Sequence, residues 1–202
     1  MRITDNLVDI LARHRAPGRR QIAVVTHAQH SYEITPDTAA AVERMRQKGI
    51  PVYNQMVYTF FTSRRFEAAH LRRTLSRIGI DPYYEFNTKG KEETADFRVP
   101  IARLLQEQKE EARLLPGLTR TDEAVYNVPG LGKNYLRADL HRDLISILPD
   151  GSRLYEFHPW EKNISDASKT HLSEDVPILD YLIKLDAIDE NVHDYGTIWY
   201  YY

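Results

Sequence analysis

The chain has 202 residues, 42% of them hydrophobic and 28% charged, with a net charge of -2 and no cysteine. That length supports one packed domain with a sizeable core, and the balanced charge offers no general attraction to nucleic acid. No apolar run approaches the roughly 20 residues of a membrane span, the charged stretch Met1 to Arg19 is no signal sequence, and cytoplasmic residence is the default. The absence of cysteine rules out disulfides, zinc-thiolate sites and any cysteine-ligated iron-sulfur cluster supplied by this chain.

Thr4 is placed to cap a short helix carrying Leu7, Val8, Ile10 and Leu11, which ends before Ala16-Pro17-Gly18. The run Gln21 to His27, with Ile22, Val24 and Val25 at its centre, predicts a buried parallel strand. Thr35 caps and Pro36 opens a second helix, with Ala39, Val42 and Met45 on one face and Gly49 as its stop. A second strand follows from Pro51 to Thr59. The next helix, about Arg65 to Ile78, buries Phe66, Ala69, Leu71, Leu75 and Ile78 and stops at Gly79. Its arginines, with Arg64, Arg65, Arg72, Arg73 and Arg77 in one segment, read as a solvated face. They lack the interleaved stacking aromatics of a nucleic-acid surface beyond Phe66.

A third strand runs from Pro82 to Thr88. After the charged loop KGKEETADFR comes a long helix near Pro100 to Leu115, and then a fourth strand from Glu123 to Val128. This alternation predicts an α/β fold with about four parallel strands. Beyond Lys133 the pattern changes. Leu144 to Leu148 and Arg153 to Phe157 flank Pro149-Asp150-Gly151 as a β-hairpin. An amphipathic stretch, Val176 to Ile188, leads to a tail that closes on Trp199 and three tyrosines and packs on the body as a flap. The expected organisation is strand-helix repeats over 1–137, a hairpin extension over 138–163 and a tail over 164–202.

The stretch Asn127 to Lys133, NVPGLGK, delivers a lysine from a glycine-rich turn. A phosphate-binding P-loop needs four residues between its first glycine and its GK pair, then Ser or Thr. Here Gly130 is followed by Leu131 and GK, then Asn134. A lysine that forms a Schiff base with an aldehyde cofactor remains open, although a lysine after a Pro-Gly turn is more often simply solvated. The other polar residues of interest fall at strand C-termini, where parallel α/β folds keep their chemistry. They are His27 and His30; Asn54 and Gln55; Tyr83, Tyr84, Asn87 and Lys89; Asn127 and Lys133. The THAQH spacing of His27 and His30 has no nearby third metal ligand, so both read as polar groups lining a cleft.

Taken together, RITD at Arg2, THAQHSYEIT at Thr26, GIPVYNQ at Gly49, DPYYEFNTKG at Asp81, FRVP at Phe97 and NVPGLGK at Asn127 form a specific series. Over Arg2 to Asn163 it resembles the C-terminal half of the lysine 2,3-aminomutase family of radical S-adenosylmethionine enzymes. The resemblance implies the C-terminal half of a partial (β/α) TIM-like barrel. It implies isomerase chemistry, in which S-adenosylmethionine is cleaved at a reduced [4Fe-4S] cluster and an amino group moves from C2 to C3 of an L-amino acid. It further implies that Lys133 holds pyridoxal phosphate, that Tyr84 approaches the pyridoxal ring, and that Gln55 and His27 face S-adenosylmethionine. Backbone amides around Gly130 and Gly132 are candidates to meet the phosphate.

The turn is shorter than the family's glycine run, so either its proline or its lysine aligns in register, but not both. Lysine aminomutases hold the distal ammonium of the substrate between two aspartates. Lys89 stands at the first of those positions, and Asn127, or Tyr126 in the other register, at the second. Lys89 with Asn127 resembles the glutamate 2,3-aminomutase branch and suits an acidic or otherwise non-lysine substrate, unless Lys89, in its charged run, points into solvent.

The cluster of the family sits on a three-cysteine motif in the N-terminal half, and Met1 falls where the family chain is continuous. The expectation is an internal start, a split gene or an incomplete gene call. The missing radical half is then a partner, on the same or a separate chain, and the complete enzyme a homo-oligomer. Alone, the chain is expected to be inactive and to self-associate through an unpaired sheet edge. The alternative is a stand-alone module that binds pyridoxal phosphate or an amino acid without radical chemistry.

Overall fold

Strand-helix repetition builds the body, as seen in a computed structural model that describes residues 3–88, 92–159 and 169–202. Helix α1 (Asp5–His14) begins where the Thr4 hydroxyl accepts the Leu7 amide, and α2 (Pro36–Gln47) begins with a reciprocal Thr35/Thr38 capping box and Pro36 in its first turn. Each such cap is worth about 1 kcal/mol. Helices α3 (Glu67–Arg77) and α4 (Ile101–Glu110) complete the set that alternates with strands β1 (Val24–Thr26), β2 (Val52–Tyr58), β3 (Ile80–Asn87) and β4 (Glu123–Val128). The four strands pair in parallel and in chain order, as the alternation predicts.

The two faces of this sheet differ. On β2, Val52, Asn54, Met56 and Tyr58 are buried, in a core shared with Leu71, Leu75, Ile80 and Ala124. The alternate residues Tyr53, Gln55 and Val57 are only half buried, and Val25 on β1 is 43% exposed. A period of two places one residue set toward packing and the other toward the open side.

Three features differ from the sequence expectation. The NVPGLGK segment is a hairpin, not a loop that delivers a lysine. Strand β5 (Gly132–Tyr135) returns antiparallel to β4, so Lys133 is a strand residue opposite Asn127. The glycines made this stretch look like a loop, but Gly130 and Gly132 have φ of 75° and 84° and serve the turn. Second, that returning strand makes the sheet five-stranded rather than four-stranded, in the order β1 to β5, and among the described residues it is open, with the unpaired edge the sequence led one to expect. Third, Arg72 is not on a solvated face. It is 6% exposed and surrounded by acidic side chains.

The predicted hairpin is present as β6 (Arg142–Ile147) and β7 (Arg153–Phe157), with a third strand, β8 (His171–Glu174), added beside β7. Helix α5 (Ile178–Asp186) and the 3-10 segment Val192–Tyr200 follow. This part is bonded to the body: the Asp175 carboxylate accepts the Ile101 amide at the start of α4 at 2.7 Å, and the Tyr181 hydroxyl lies 2.8 Å from that of Ser63. Tyr195 accepts the Arg65 amide at 3.0 Å. Among the described residues no helix is long and apolar enough to cross a membrane.

Candidate functional site

The hairpin sets the position of Lys133. Pro129 and Gly130 occupy the centre of a tight turn closed by the Leu131 amide on the Val128 carbonyl at 3.2 Å. Proline with its fixed φ followed by glycine at positive φ is the type II combination. Leu131 is buried in the core and anchors the turn, while a Cβ added at Gly130 would meet nothing within 4 Å. Gly132 then opens β5 at positive φ.

From that strand the Lys133 ammonium leans across the open face of the sheet. Its Nζ stands 4.0 Å from the centroid of the Tyr84 ring and 6.0 Å from that of Phe86. Tyr84 sits in register with Gln55 on one side and Glu123 on the other, and Phe86 with Val57 and Val125. Lys133, Tyr84, Gln55 and Asn127, four of the residues expected from the sequence, therefore share one face.

His27 directly follows β1, next to the register in which Thr26 faces Asn54. Asn54 fixes that exit: its amide accepts from the Thr26 hydroxyl at 2.9 Å and the Ala28 amide at 2.8 Å, and donates to the Ala28 carbonyl at 2.9 Å. The His27 side chain itself is exposed. Lys89 lies outside the described residues.

Tyr135, which the sequence reading did not single out, completes the cluster. The Tyr84 hydroxyl is held below the usual phenol range, first by the hydrogen bond from Tyr135, then by those from Tyr83 and Lys133, against an upward push from burial. Conversely, Tyr135 is pushed up to about 12, chiefly because it gives its proton to that bond. Tyr83 is raised for the same reason, and its ring lies 4.1 Å from that of Tyr84. Behind Tyr135, His141 accepts the Tyr135 amide at Nδ1 at 3.0 Å, and burial lowers its pKa. Alternation would have placed Tyr135 beside Lys133, two residues away, had the stretch been recognised as a strand.

The arrangement offers a primary amine over an aromatic face, open on one side, beside a phenol made more acidic than usual. Among the described residues no carboxylate pairs with Lys133, and no group of His, Cys, Asp or Glu could hold a metal ion. A separate cavity of about 550 Å³ lies between the end of β3, Tyr126 of β4, Asp175 and α5, and Lys133 does not line it.

No model of a known family matches the chain. Over all its 202 residues it is 52% identical to an uncharacterized KamA family protein of Methanocaldococcus jannaschii, of which it spans 32%. Over 101 residues, half of this chain and 23% of the relative, it is 29% identical to a glutamate 2,3-aminomutase of Clostridioides difficile. Over 106 residues, 52% of this chain and 23% of the relative, it is 28% identical to an L-lysine 2,3-aminomutase of Methanococcus maripaludis. The chain thus spans a third or less of these relatives. It shares its whole length with a KamA family protein and half of it with 2,3-aminomutases, in agreement with the aminomutase family that its series of motifs resembles.

Proposed function

We propose that the chain forms the cofactor- and substrate-facing part of a pyridoxal phosphate-dependent radical S-adenosylmethionine 2,3-aminomutase, an isomerase that acts on an L-amino acid. The observation that carries this is the convergence of Lys133, Tyr84, Gln55 and Asn127 on one open face. Pyridoxal phosphate fits these residues. Lys133 supplies an amine without a carboxylate partner among the described residues, Tyr84 a flat surface beneath it, and the Gly130 turn uncrowded backbone. When bound, that cofactor supplies an electron sink next to the amino group.

The residues of this chain do the rest by position. Tyr84 and Tyr135 form a path for a proton at the Lys133 amine, which must be uncharged to attack a carbonyl. Gln55 and His27 line the side assigned to S-adenosylmethionine. Asn127, opposite Lys133, with Lys89, favours an acidic or other non-lysine substrate. A cysteine-ligated cluster does not fit: the chain has no cysteine. The partial barrel is then completed by a radical half from elsewhere, and the chain alone lacks aminomutase activity.

Pyridoxal phosphate added to the purified chain, followed by borohydride trapping and peptide mapping, is expected to label Lys133 selectively. Equal labelling of surface lysines would sink the assignment. A second reading, a binding module that docks onto a separately encoded partner, is favoured by the free edge of β1 among the described residues. Production of a β-amino acid after reconstitution of the two halves with iron, sulfide, S-adenosylmethionine, pyridoxal phosphate and reductant separates the readings: it supports the aminomutase and excludes a module without radical chemistry.

A further inference from the structure

Directly behind Tyr84 and Phe86, the intervening residue Glu85 points into a buried charge cluster. Arg72 on α3 donates from Nη2 to Glu85 Oε2 at 2.7 Å and to Asp122 Oδ2 at 2.6 Å. From Nη1 it donates to Glu111 Oε2 at 2.6 Å, and from Nε to Asp122 at 3.1 Å. Gln108 on α4 adds a donor to Glu85 Oε2 at 2.8 Å. The four charged side chains are at most 7% exposed.

One guanidinium thus faces three buried carboxylates, and a full set of ionised carboxylates would leave a buried negative excess. Uptake of a proton relieves such an excess more readily than burial of unpaired charge. The hydrogen-bond inventory points the same way, because among the described residues Glu85 Oε1 and Gln108 Oε1 are buried acceptors without a partner. Of the cluster's other charged neighbours, Glu107 on α4 is engaged by Arg103 at 2.6 Å and by the Phe66 amide at 2.8 Å, and Arg137 donates to the Asp122 carbonyl at 2.9 Å.

We propose that the Arg72 cluster keeps a proton at neutral pH and acts as a proton-held clamp on β3, loosened when mild alkali removes it. The strand so clamped carries both rings beneath Lys133, but the inference does not depend on what Lys133 binds. Burial pushes Glu111 up to about 8, against the pull of Arg72 and with Glu85, Asp122 and Glu107 adding to the rise. Glu85 is raised as well, again first by burial. For a carboxyl raised in the folded state, the fold binds the extra proton between the ordinary value and the raised one. Stability from this group is therefore complete below the ordinary value near 4.5 and lost as pH rises to about 8.

The test compares unfolding of the full chain in denaturant, wild type against Glu111→Gln, from about pH 5 to 8. One proton released on unfolding corresponds to a tenfold larger unfolding constant per pH unit. The wild type is expected to show that extra slope and the glutamine variant to lack it; parallel profiles would overturn the proposal. Infrared difference spectra of the wild type decide the case even if the variant does not fold. A protonated-carboxyl band present at neutral pH and titrating near 8 is expected. A native chain without such a band refutes the clamp.

Discussion

Strand β3 carries two electrostatic environments only one residue apart. On the open face, Tyr84 and Lys133 meet with solvent beside them, so charge is tolerated and protons are exchanged cheaply. On the packed face, Glu85 and its neighbours are almost entirely removed from water, and every charge has to be answered by another group. Tolerance of charge at the first face keeps it available for chemistry, while the second secures the strand that presents it.

The largest break in this comparison is expected from Arg72→Met. Removal of the one guanidinium strands three buried carboxylates, and a loss of about 3–5 kcal/mol is expected in chemical denaturation. A loss below about 1 kcal/mol would mean the cluster is hydrated after all. Asn54→Ala comes next. It removes three hydrogen bonds around a side chain that is 5% exposed, for an expected loss of about 2–3 kcal/mol and faster exchange at the Ala28 amide.

On the open face, Lys133→Met is expected to move stability by no more than about 1 kcal/mol, since what is lost is a partly exposed cation-ring contact and the Lys133 hydrogen bond to the Tyr84 hydroxyl. The same change is expected to abolish site-selective pyridoxal phosphate labelling. Labelling that persists elsewhere at the wild-type level contradicts the role of the lysine. The smallest effect is a titration shift. Tyr84→Phe removes the acceptor that raises Tyr135, so the Tyr135 hydroxyl should fall from about 12 toward its ordinary range in an ultraviolet titration.

Much of the open face was legible from residue type and spacing. The strand ends holding Gln55, Tyr84 and Asn127 follow from apolar runs bounded by caps and glycines, and the structure brings them together. Lys133 stands out in the sequence by residue type but is expected on a loop, because glycine signals a loop and here it also starts a strand. The packed face was not legible. Arg72 lies among four other arginines, and nothing in a local window shows that Glu85, Glu111 and Asp122 arrive from three separate elements to surround it. Such encounters depend on tertiary packing, which helical periodicity does not encode.

The β4–β5 hairpin has a kinetic consequence. Its pairing is local in sequence, so Lys133 and Asn127 can find each other within roughly 1–10 μs, the time of hairpin closure. The rings beneath the lysine belong to a parallel strand, which pairs only after chain closure across whole helices, a slower event. The expected order is that the hairpin presents the amine first and β3 brings its floor later, so a destabilising change in β3 should leave early protection of the hairpin amides intact in pulsed hydrogen exchange.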